Sequence, residues 1–259
     1  MEYFDTHAHY DDDKFNEDRE EVIEKIFNTG VTKCVNMGCD VESSQKAIEI
    51  ANIHDFIYAA VGLHPEEIPQ SEEEMWKTIL QIKDLAVQNK KVVAIGEIGL
   101  DYYWNKENIE MQKQAFIKQI ELANELKLPI SIHTRDAIDD MISIIRKYKI
   151  ENGGVLHCCP LNPELIKEGL KLGYYISFSG NITFKNAKSF DAVSIVPMDR
   201  ILIETDAPYL SPEPFRGTRN NSINVKLVAE KIAEIKKISI NEVSQKTYQN
   251  AERVYEIKM

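Results

Sequence analysis

The sequence predicts a single-domain (β/α)8 barrel, or TIM barrel, that spans residues 1–259. The chain length of 259 residues matches the roughly 250 residues that this fold typically needs. Short β-branched or aromatic runs alternate with longer helical patterns along the whole chain, as expected of repeated βα units. No glycine-rich phosphate turn follows the first strand, which argues against the alternative, a doubly wound open sheet.

Eight runs have the composition of strands in a parallel sheet, because several are almost continuously apolar and would be buried on both faces. Their first residues lie 21 to 37 residues apart, which is the length of a strand with its crossover helix. The predicted strands are 3–9, 31–38, 57–64, 92–100, 129–134, 153–158, 174–180 and 201–208.

The segments between these strands carry helix-start signals. Ser71 followed by Glu74 is a capping-box pattern, and Asn162 before Pro163 supplies an N-cap and a proline at the first helical position. Asp136 is predicted to cap the helix that follows the fifth strand. Two C-terminal helices, over 222–237 and 241–257, are predicted to close the chain.

Composition limits the class of protein. A net charge of -11, from 31 basic and 42 acidic residues, argues against a long footprint on duplex nucleic acid, so any nucleic-acid contact should be confined to one pocket. The N-terminus lacks a signal-peptide pattern, and no apolar run is long enough to span a membrane. The four cysteines form no CxxC pair, which favours reduced thiols and a cytoplasmic location.

Ionisable residues fall at the ends of the predicted strands, where barrel enzymes place their active sites. His54 lies in a connecting segment and is assigned a solvated surface role. Barrel closure would bring the remaining groups around one mouth, where buried imidazoles and carboxylates are costly without partners. These groups are His7, His9, His64, Glu97, His133, His157 and Asp206.

Divalent metal would satisfy this cluster, since imidazole and carboxylate are ligands of zinc, manganese, iron and magnesium. Two cations that share one carboxylate could activate a water and make the pocket locally positive in an acidic chain. Each residue alone has a simpler interpretation: HxH arises by chance, and Asp206 before Ala-Pro fits a turn. The common height of these groups on several strands favours the metal site.

Seven segments in chain order carry recognisable motifs: DTHAH (5–9), GLHP (62–65), IGEIGLDYY (95–103), IHTR (132–135), LHC (156–158), ETDAPYLSP (204–212) and RGTRN (216–220). Together they resemble the TatD family of metal-dependent deoxyribonucleases, within the amidohydrolase superfamily, over the chain from residue 5 to the C-terminal helices. The resemblance implies a TIM barrel and a phosphodiester hydrolase, often a magnesium-dependent 3′-to-5′ exonuclease on DNA.

The resemblance also implies roles for individual residues, with two divalent ions (magnesium, manganese or zinc) as cofactors. Glu97 would bridge the two cations, as in the TatD branch, in place of the carboxylated lysine of many amidohydrolases. Asp206 would also act as the general base. By position, one metal would be held by His7, His9, Glu97 and Asp206, and the second by Glu97, His133 and His157.

The sequence departs from the family pattern in two loops. In the loop Cys158–Leu161 the chain reads CCPL where the family often reads CFSG, and in the loop Asn220–Ser222 it reads NNS where the family usually reads NEP. Neither change touches a proposed ligand, so both bear on substrate preference. Cys158 and Cys159 are interpreted as spectators rather than nucleophiles.

Several side chains are candidates for substrate contact. Arg135, Arg216 and Arg219 could grip phosphate oxygens, with salt bridges to neighbouring acids as the alternative. Tyr103, between Tyr102 and Trp104, could stack on an unpaired base or simply pack at the rim. His64 could orient a ligand or contact the leaving group.

The sequence thus predicts a phosphodiester hydrolase acting on DNA ends or single-stranded DNA, with no membrane and no obligate protein partner. One alternative is an amidohydrolase-type enzyme acting on a small ester, lactone or amide, because the same metals activate water for either bond. The other is a metal-binding barrel that serves as an interaction module.

Overall fold

The computed structural model describes residues 1–104 and 106–257. Within them, eight parallel strands form one sheet in chain order, each bonded to the next. This arrangement confirms the predicted (β/α)8 barrel and excludes the doubly wound sheet. The strands are β1 Tyr3–Ala8, β2 Val31–Met37, β3 Ile57–Val61, β4 Val92–Asp101, β5 Ile130–Arg135, β6 Gly154–Leu156, β7 Tyr175–Phe178 and β8 Ile201–Ile203.

The barrel closes between β1 and the segment that follows β8. Ala8 and Ala207 form a parallel bridge, and the amide of Asp206 donates to the carbonyl of His7 over 2.9 Å. Asp5 strengthens the seam, because its Oδ1 accepts a hydrogen bond from the amide of Thr205 over 3.0 Å. Closure therefore places the end of β1 beside the residues that follow β8.

Nine α-helices are described, and the starts of α3 and α6 follow the predicted local signals. The side chain of Ser71 accepts from the Glu74 amide, and that of Asn162 accepts from the amides at the start of the next helix. The helices are α1 Arg19–Asn28, α2 Val41–Ile53, α3 Glu72–Gln88, α4 Ile109–Leu126, α5 Ile138–Lys147, α6 Pro163–Lys171, α7 Ser189–Ile195, α8 Val225–Lys236 and α9 Ile240–Val254.

Several predicted boundaries were wrong. Asp136 is not the cap of α5: it lies in a left-handed turn (φ 54°) one residue too early, and the N-cap is Ala137 without a side-chain bond. Four strands end before a histidine or aspartate that was placed in them, so four site residues lie just beyond β1, β3, β6 and β8: His9, His64, His157 and Asp206. The first C-terminal helix begins at Val225, because residues 222–224 form a 3₁₀ turn.

Helix α9 covers the N-terminal end of the barrel. An apolar cluster combines side chains from every strand except β5 with Val254 at the end of α9 and Tyr255 just after it. The side-chain amide of Asn250 donates to the carbonyls of Met198 and Ile201, at the start of β8. With this end filled by apolar side chains, the polar residues are collected at the opposite, C-terminal end.

The four cysteines are free thiols, and burial raises the pKa of each thiol. A raised thiol pKa disfavours the thiolate that nucleophilic chemistry requires, in agreement with spectator roles for Cys158 and Cys159. Over residues 1–104 and 106–257, no helix combines the length and apolar character needed to cross a membrane.

Candidate metal centre

Glu97, buried in the middle of β4, lies at the centre of a group of histidines. Its two carboxylate oxygens face different pairs. Oε2 lies 3.2 Å from Nε2 of His7 and 3.6 Å from Nε2 of His9. Oε1 lies 2.8 Å from Nδ1 of His133 and 3.0 Å from Nε2 of His157. One carboxylate therefore divides four imidazoles into two sets.

Asp206 joins only one of the two pairs. Its Oδ1 lies 3.7 Å from Nε2 of His7 and 3.4 Å from Nε2 of His9, and these two nitrogens are 3.1 Å apart. We call His7, His9, Asp206 and Oε2 of Glu97 the first set. The second set is His133, His157 and Oε1 of Glu97.

His64 faces the second set without belonging to it. Its Nε2 lies 3.6 Å from Oε1 of Glu97, while its Nδ1 accepts a hydrogen bond from the amide of Glu66. Burial lowers the pKa of His64 to about 3, so the ring is neutral and its single proton is on Nε2. In this tautomer His64 points an N–H group at Glu97. His64, Glu97 and His133 nevertheless also form one of the groups whose ligand atoms lie close enough together to hold a metal ion.

Local backbone features explain how these residues converge. His7 and His9 alternate along the chain, which directs both rings to one side. Gly99 is paired with His133 in the sheet and has a φ of 148°; a Cβ at this position would lie 2.1 Å from the carbonyl oxygen of His133. Asp206 has a left-handed backbone (φ 57°) and is the first residue of a turn, in which its carbonyl accepts a hydrogen bond from the Tyr209 amide. Asp206 is therefore both a turn residue and a member of the site.

Each histidine of the second set is backed by a carboxylate. Oδ2 of Asp101 lies 2.9 Å from Nε2 of His133. Oε1 of Glu204 lies 2.9 Å from Nδ1 of His157. Since each ring donates a proton to its carboxylate, the nitrogen that faces Glu97 is available to a cation.

The histidines of the first set are backed by neutral groups. Nδ1 of His9 lies 3.0 Å from the carbonyl oxygen of Met37, which can only accept, so this nitrogen carries the proton. Nδ1 of His7 lies 3.5 Å from the hydroxyl of Ser131. In both rings the Nε2 atom is directed at the carboxylates of Glu97 and Asp206.

The electrostatics of the cluster match a cation site. Burial acts to raise the pKa of Glu97, but the surrounding histidines outweigh it and hold that pKa well below its usual range. Burial acts to lower the pKa of His133, but Asp101 and Glu97 outweigh it and raise the pKa to about 9. Protons thus balance the charge in the absence of cations. The close grouping of nitrogen and carboxylate donors fits divalent metal, which would displace these protons.

One side of the barrel mouth carries a stack of cation and aromatic rings. The guanidinium carbon of Arg135, the last residue of β5, lies 3.9 Å from the ring centroid of Tyr103 and 5.5 Å from that of Trp104. Oδ1 of Asp101 accepts from the amides of both aromatic residues. The same carboxylate thus holds the aromatic pair and the His133 ring. Tyr102 differs, because its hydroxyl donates to Asp140.

The other two arginines have different surroundings. Arg216 stacks on Phe184, with its guanidinium carbon 3.8 Å from the ring centroid, and donates to the carbonyl of Ser211. Arg219 forms a two-bond ion pair with Asp18. This pair matches the salt-bridge alternative, so phosphate contact by Arg219 stays a prediction that requires Asp18 to release it.

Sequence reasoning missed both carboxylates behind the second set. Glu204 lies two residues before Asp206, and Asp101 lies four residues after Glu97; their place at strand ends was the available signal. The two divergent loops, Cys158–Leu161 and Asn220–Ser222, are both hydrogen-bonded to the segment that follows β8. The Cys158 amide donates to Glu204, and the Asn220 side chain donates to the carbonyls of Thr205 and Tyr209.

Sequence comparisons agree with this architecture. A family profile described as TatD related DNase matches residues 4–256. The chain is 45% identical to the uncharacterized metal-dependent hydrolase YabD of Bacillus subtilis, over 98% of this chain and 99% of that protein. It is 36% identical to the uncharacterized metal-dependent hydrolase YcfH of Escherichia coli K12, over 98% of this chain and 95% of that protein.

Solved structures give the same result at the level of the fold. YJJV, a TatD homologue from Escherichia coli K12, superimposes with a TM-score of 0.92 at 26% identity, covering 99% of this chain and 98% of that one. An organophosphorus hydrolase variant from Deinococcus radiodurans has a TM-score of 0.67 at 14% identity, over 98% of this chain and 92% of that one, and shares the barrel fold. The chain therefore belongs to the TatD family of metal-dependent hydrolases.

Proposed function

We propose that this protein is a two-metal phosphodiesterase that removes nucleotides from the 3′ ends of DNA, with single-stranded ends as substrate. The observation that carries the proposal is the division of Glu97, whose two oxygens face separate histidine pairs. A carboxylate in that position is suited to bridging two cations. The description of the matching family as DNase supports the choice of substrate.

In this proposal, the first set and the second set each hold one divalent cation, magnesium, manganese or zinc. When bound, such a pair polarises a phosphoryl group and lowers the pKa of the attacking water. His7, His9 and His157 are buried, which fixes the ring positions before the ligand arrives. His64 contributes an N–H group that can hold Glu97 in place or reach the leaving group.

Asp206 is the proposed general base. Its side chain is 16% exposed, against 4% for that of Glu97, so of these two carboxylates Asp206 is the one that solvent reaches. The histidines around it outweigh the effect of burial and lower the pKa of Asp206, which keeps the carboxylate ionised. It can therefore accept the proton of the attacking water at Oδ1 or Oδ2.

The rim supplies the proposed contacts with nucleic acid. Arg135 and Arg216 each lie on an aromatic ring, which orders the guanidinium while leaving N–H groups to bind phosphate. Tyr103 is 52% exposed and Trp104 is 62% exposed, so both rings present area on which an unpaired base can stack. Because these features lie at the mouth, an acidic chain can still bind a polyanion locally.

The test begins with the full-length protein stripped of metal and resupplied with magnesium, manganese or zinc separately. A 5′-labelled single-stranded DNA, an RNA of the same sequence and a panel of small esters and lactones are then assayed. Successive shortening of the DNA from its 3′ end is the expected result. His133→Ala, measured in parallel, should lose the same activity, which excludes a contaminating nuclease.

Other outcomes decide between the alternatives. Turnover of esters or lactones without cleavage of DNA would replace the proposal with the amidohydrolase-type activity. Bound cations without turnover of any substrate would favour the interaction module. Equal activity of the wild type and His133→Ala would place the observed hydrolysis outside this site.

A further inference from the structure

The two sets of ligands differ in the charge that each supplies directly. The first set has Asp206 as its own carboxylate and shares Glu97. The second set has only its share of Glu97, since its other members, His133 and His157, add no negative charge and are neutral when they bind a cation. On direct ligands alone, the second set should bind a divalent cation more weakly.

The groups behind the histidines reverse this difference. His133 and His157 point their outer nitrogens at Asp101 and Glu204, whereas His7 and His9 point theirs at a hydroxyl and a carbonyl. Carboxylates behind a ligating imidazole raise its basicity and fix its orientation. The second set therefore has its additional negative charge on Asp101 and Glu204, which are hydrogen-bonded to its two histidines.

Both carboxylate oxygens of Glu204 accept hydrogen bonds, which fix the orientation of the side chain. It is fully buried, and Oε1 accepts from the Cys158 amide as well as from His157. Oε2 accepts from the hydroxyl of Ser177. An anion buried in this way is costly unless positive charge lies nearby, and a cation on the far side of the His157 ring would provide that charge.

We propose that Asp101 and Glu204 are positioning residues that raise the affinity of the second set for a divalent cation, so that it matches the first set. This inference rests on the proposed two-metal centre and goes beyond it, because it assigns a role to two residues outside the ligand set. It also explains why a carboxylate stands behind each histidine of the second set and behind neither histidine of the first.

The two residues should respond differently when the carboxylate becomes an amide. In Glu204→Gln, the remaining oxygen can still accept from His157 and the amide group can donate to Ser177, so only the charge is lost. In Asp101→Asn, the remaining oxygen is engaged by the Tyr103 and Trp104 amides, so the amide group faces Nε2 of His133. That ring must then carry its proton on Nδ1, which closes the atom that faces Glu97.

The experiment titrates metal-free protein with manganese(II) by calorimetry and measures bound manganese by elemental analysis after gel filtration. The wild type should bind two cations. Glu204→Gln should loosen one cation by about 10–100-fold and leave the other unchanged. Asp101→Asn should retain one cation, as His133→Ala does.

Glu168→Gln is the matched control. Glu168 is also a buried glutamate, but it is paired with Arg146 on the outer helices, so both cations should bind as in the wild type. Equal loosening of both cations in Glu204→Gln, or no loosening, would overturn the inference while the two-metal centre stands. If Glu204→Gln fails to fold, the number of cations bound by Asp101→Asn tests the inference by itself. Fewer than two cations in the wild type would remove the centre and the inference together.

Discussion

The two ends of the barrel interior are built from the same strands and have opposite chemistry. At the N-terminal end, Phe4, Val93 and Leu202 join α9 in an apolar cluster. At the C-terminal end, the same strands place His7, Glu97 and the residues after β8 in a buried polar cluster. Within β1, Phe4 packs in the apolar cluster that stabilises the fold, whereas His7, three residues later, is suited to binding a cation.

This contrast teaches where stability and chemistry are located. Apolar burial contributes about 25 cal/mol per Å², so the cluster covered by α9 stabilises the barrel together with the larger apolar layer between the strands and the helices. Buried imidazoles and carboxylates oppose folding unless cations or protons compensate them. We therefore expect changes at the C-terminal end to alter activity and binding without loss of the fold, and changes at the N-terminal end to do the reverse.

The largest expected effect is that of Asp206→Asn on turnover. Loss of the base, together with a charged ligand of the first set, should lower kcat by about 10²–10⁴-fold, while oligonucleotide binding and the melting temperature change little. Single-turnover cleavage of the labelled DNA measures the rate. Asp199→Asn, at the opposite end of the same strand region and exposed, should leave kcat unaltered. Near-normal rates in Asp206→Asn would exclude this residue as the base.

Phe4→Ala is the corresponding change at the N-terminal end. Removing this fully buried ring, which packs against Tyr248 and Tyr255, should lower the free energy of unfolding by about 3–5 kcal/mol. Manganese stoichiometry should be retained at temperatures where the variant is folded. Urea unfolding gives the free energy, and Phe190→Ala, at a ring that is 62% exposed, should change it by less than about 0.5 kcal/mol. Loss of cations from folded Phe4→Ala would show that the two ends are coupled.

Much of this contrast is readable from the sequence, because it depends on periodicity and on position within a strand. The alternation of His7 and His9 and the position of Glu97 within a strand follow from short-range patterns. Glu204 could not be recognised, because a carboxylate behind a histidine looks in sequence like any acid at a strand end. The partner of Arg219 is Asp18, at a separation of 201 residues, and no local pattern reports such a contact.

A smaller effect is expected at the aromatic side of the rim. Tyr103→Ala should weaken binding of single-stranded DNA by about 1–3 kcal/mol, since a base loses its stacking surface and Arg135 loses the ring beneath it. Tyr103→Phe keeps the ring and should bind as the wild type does. Binding is measured by fluorescence anisotropy. Both variants carry Asp206→Asn as well, so that the DNA is not cleaved during the measurement. Equal affinities for Tyr103→Ala and Tyr103→Phe would indicate that the ring only packs at the rim.

The smallest effect, and the sharpest comparison of the two ends, comes from a matched pair of arginines. Arg216, in the loop after β8, stacks on Phe184. Arg200, just before β8, stacks on Tyr175. If Arg216 binds a phosphate, Arg216→Ala should reduce the slope of log affinity against log salt by about 0.7 for a single strand. Arg200→Ala removes the same charge at the other end and should leave the slope unchanged. An identical slope change in both variants would mean that net charge, rather than the position of Arg216 at the mouth, sets the affinity for nucleic acid.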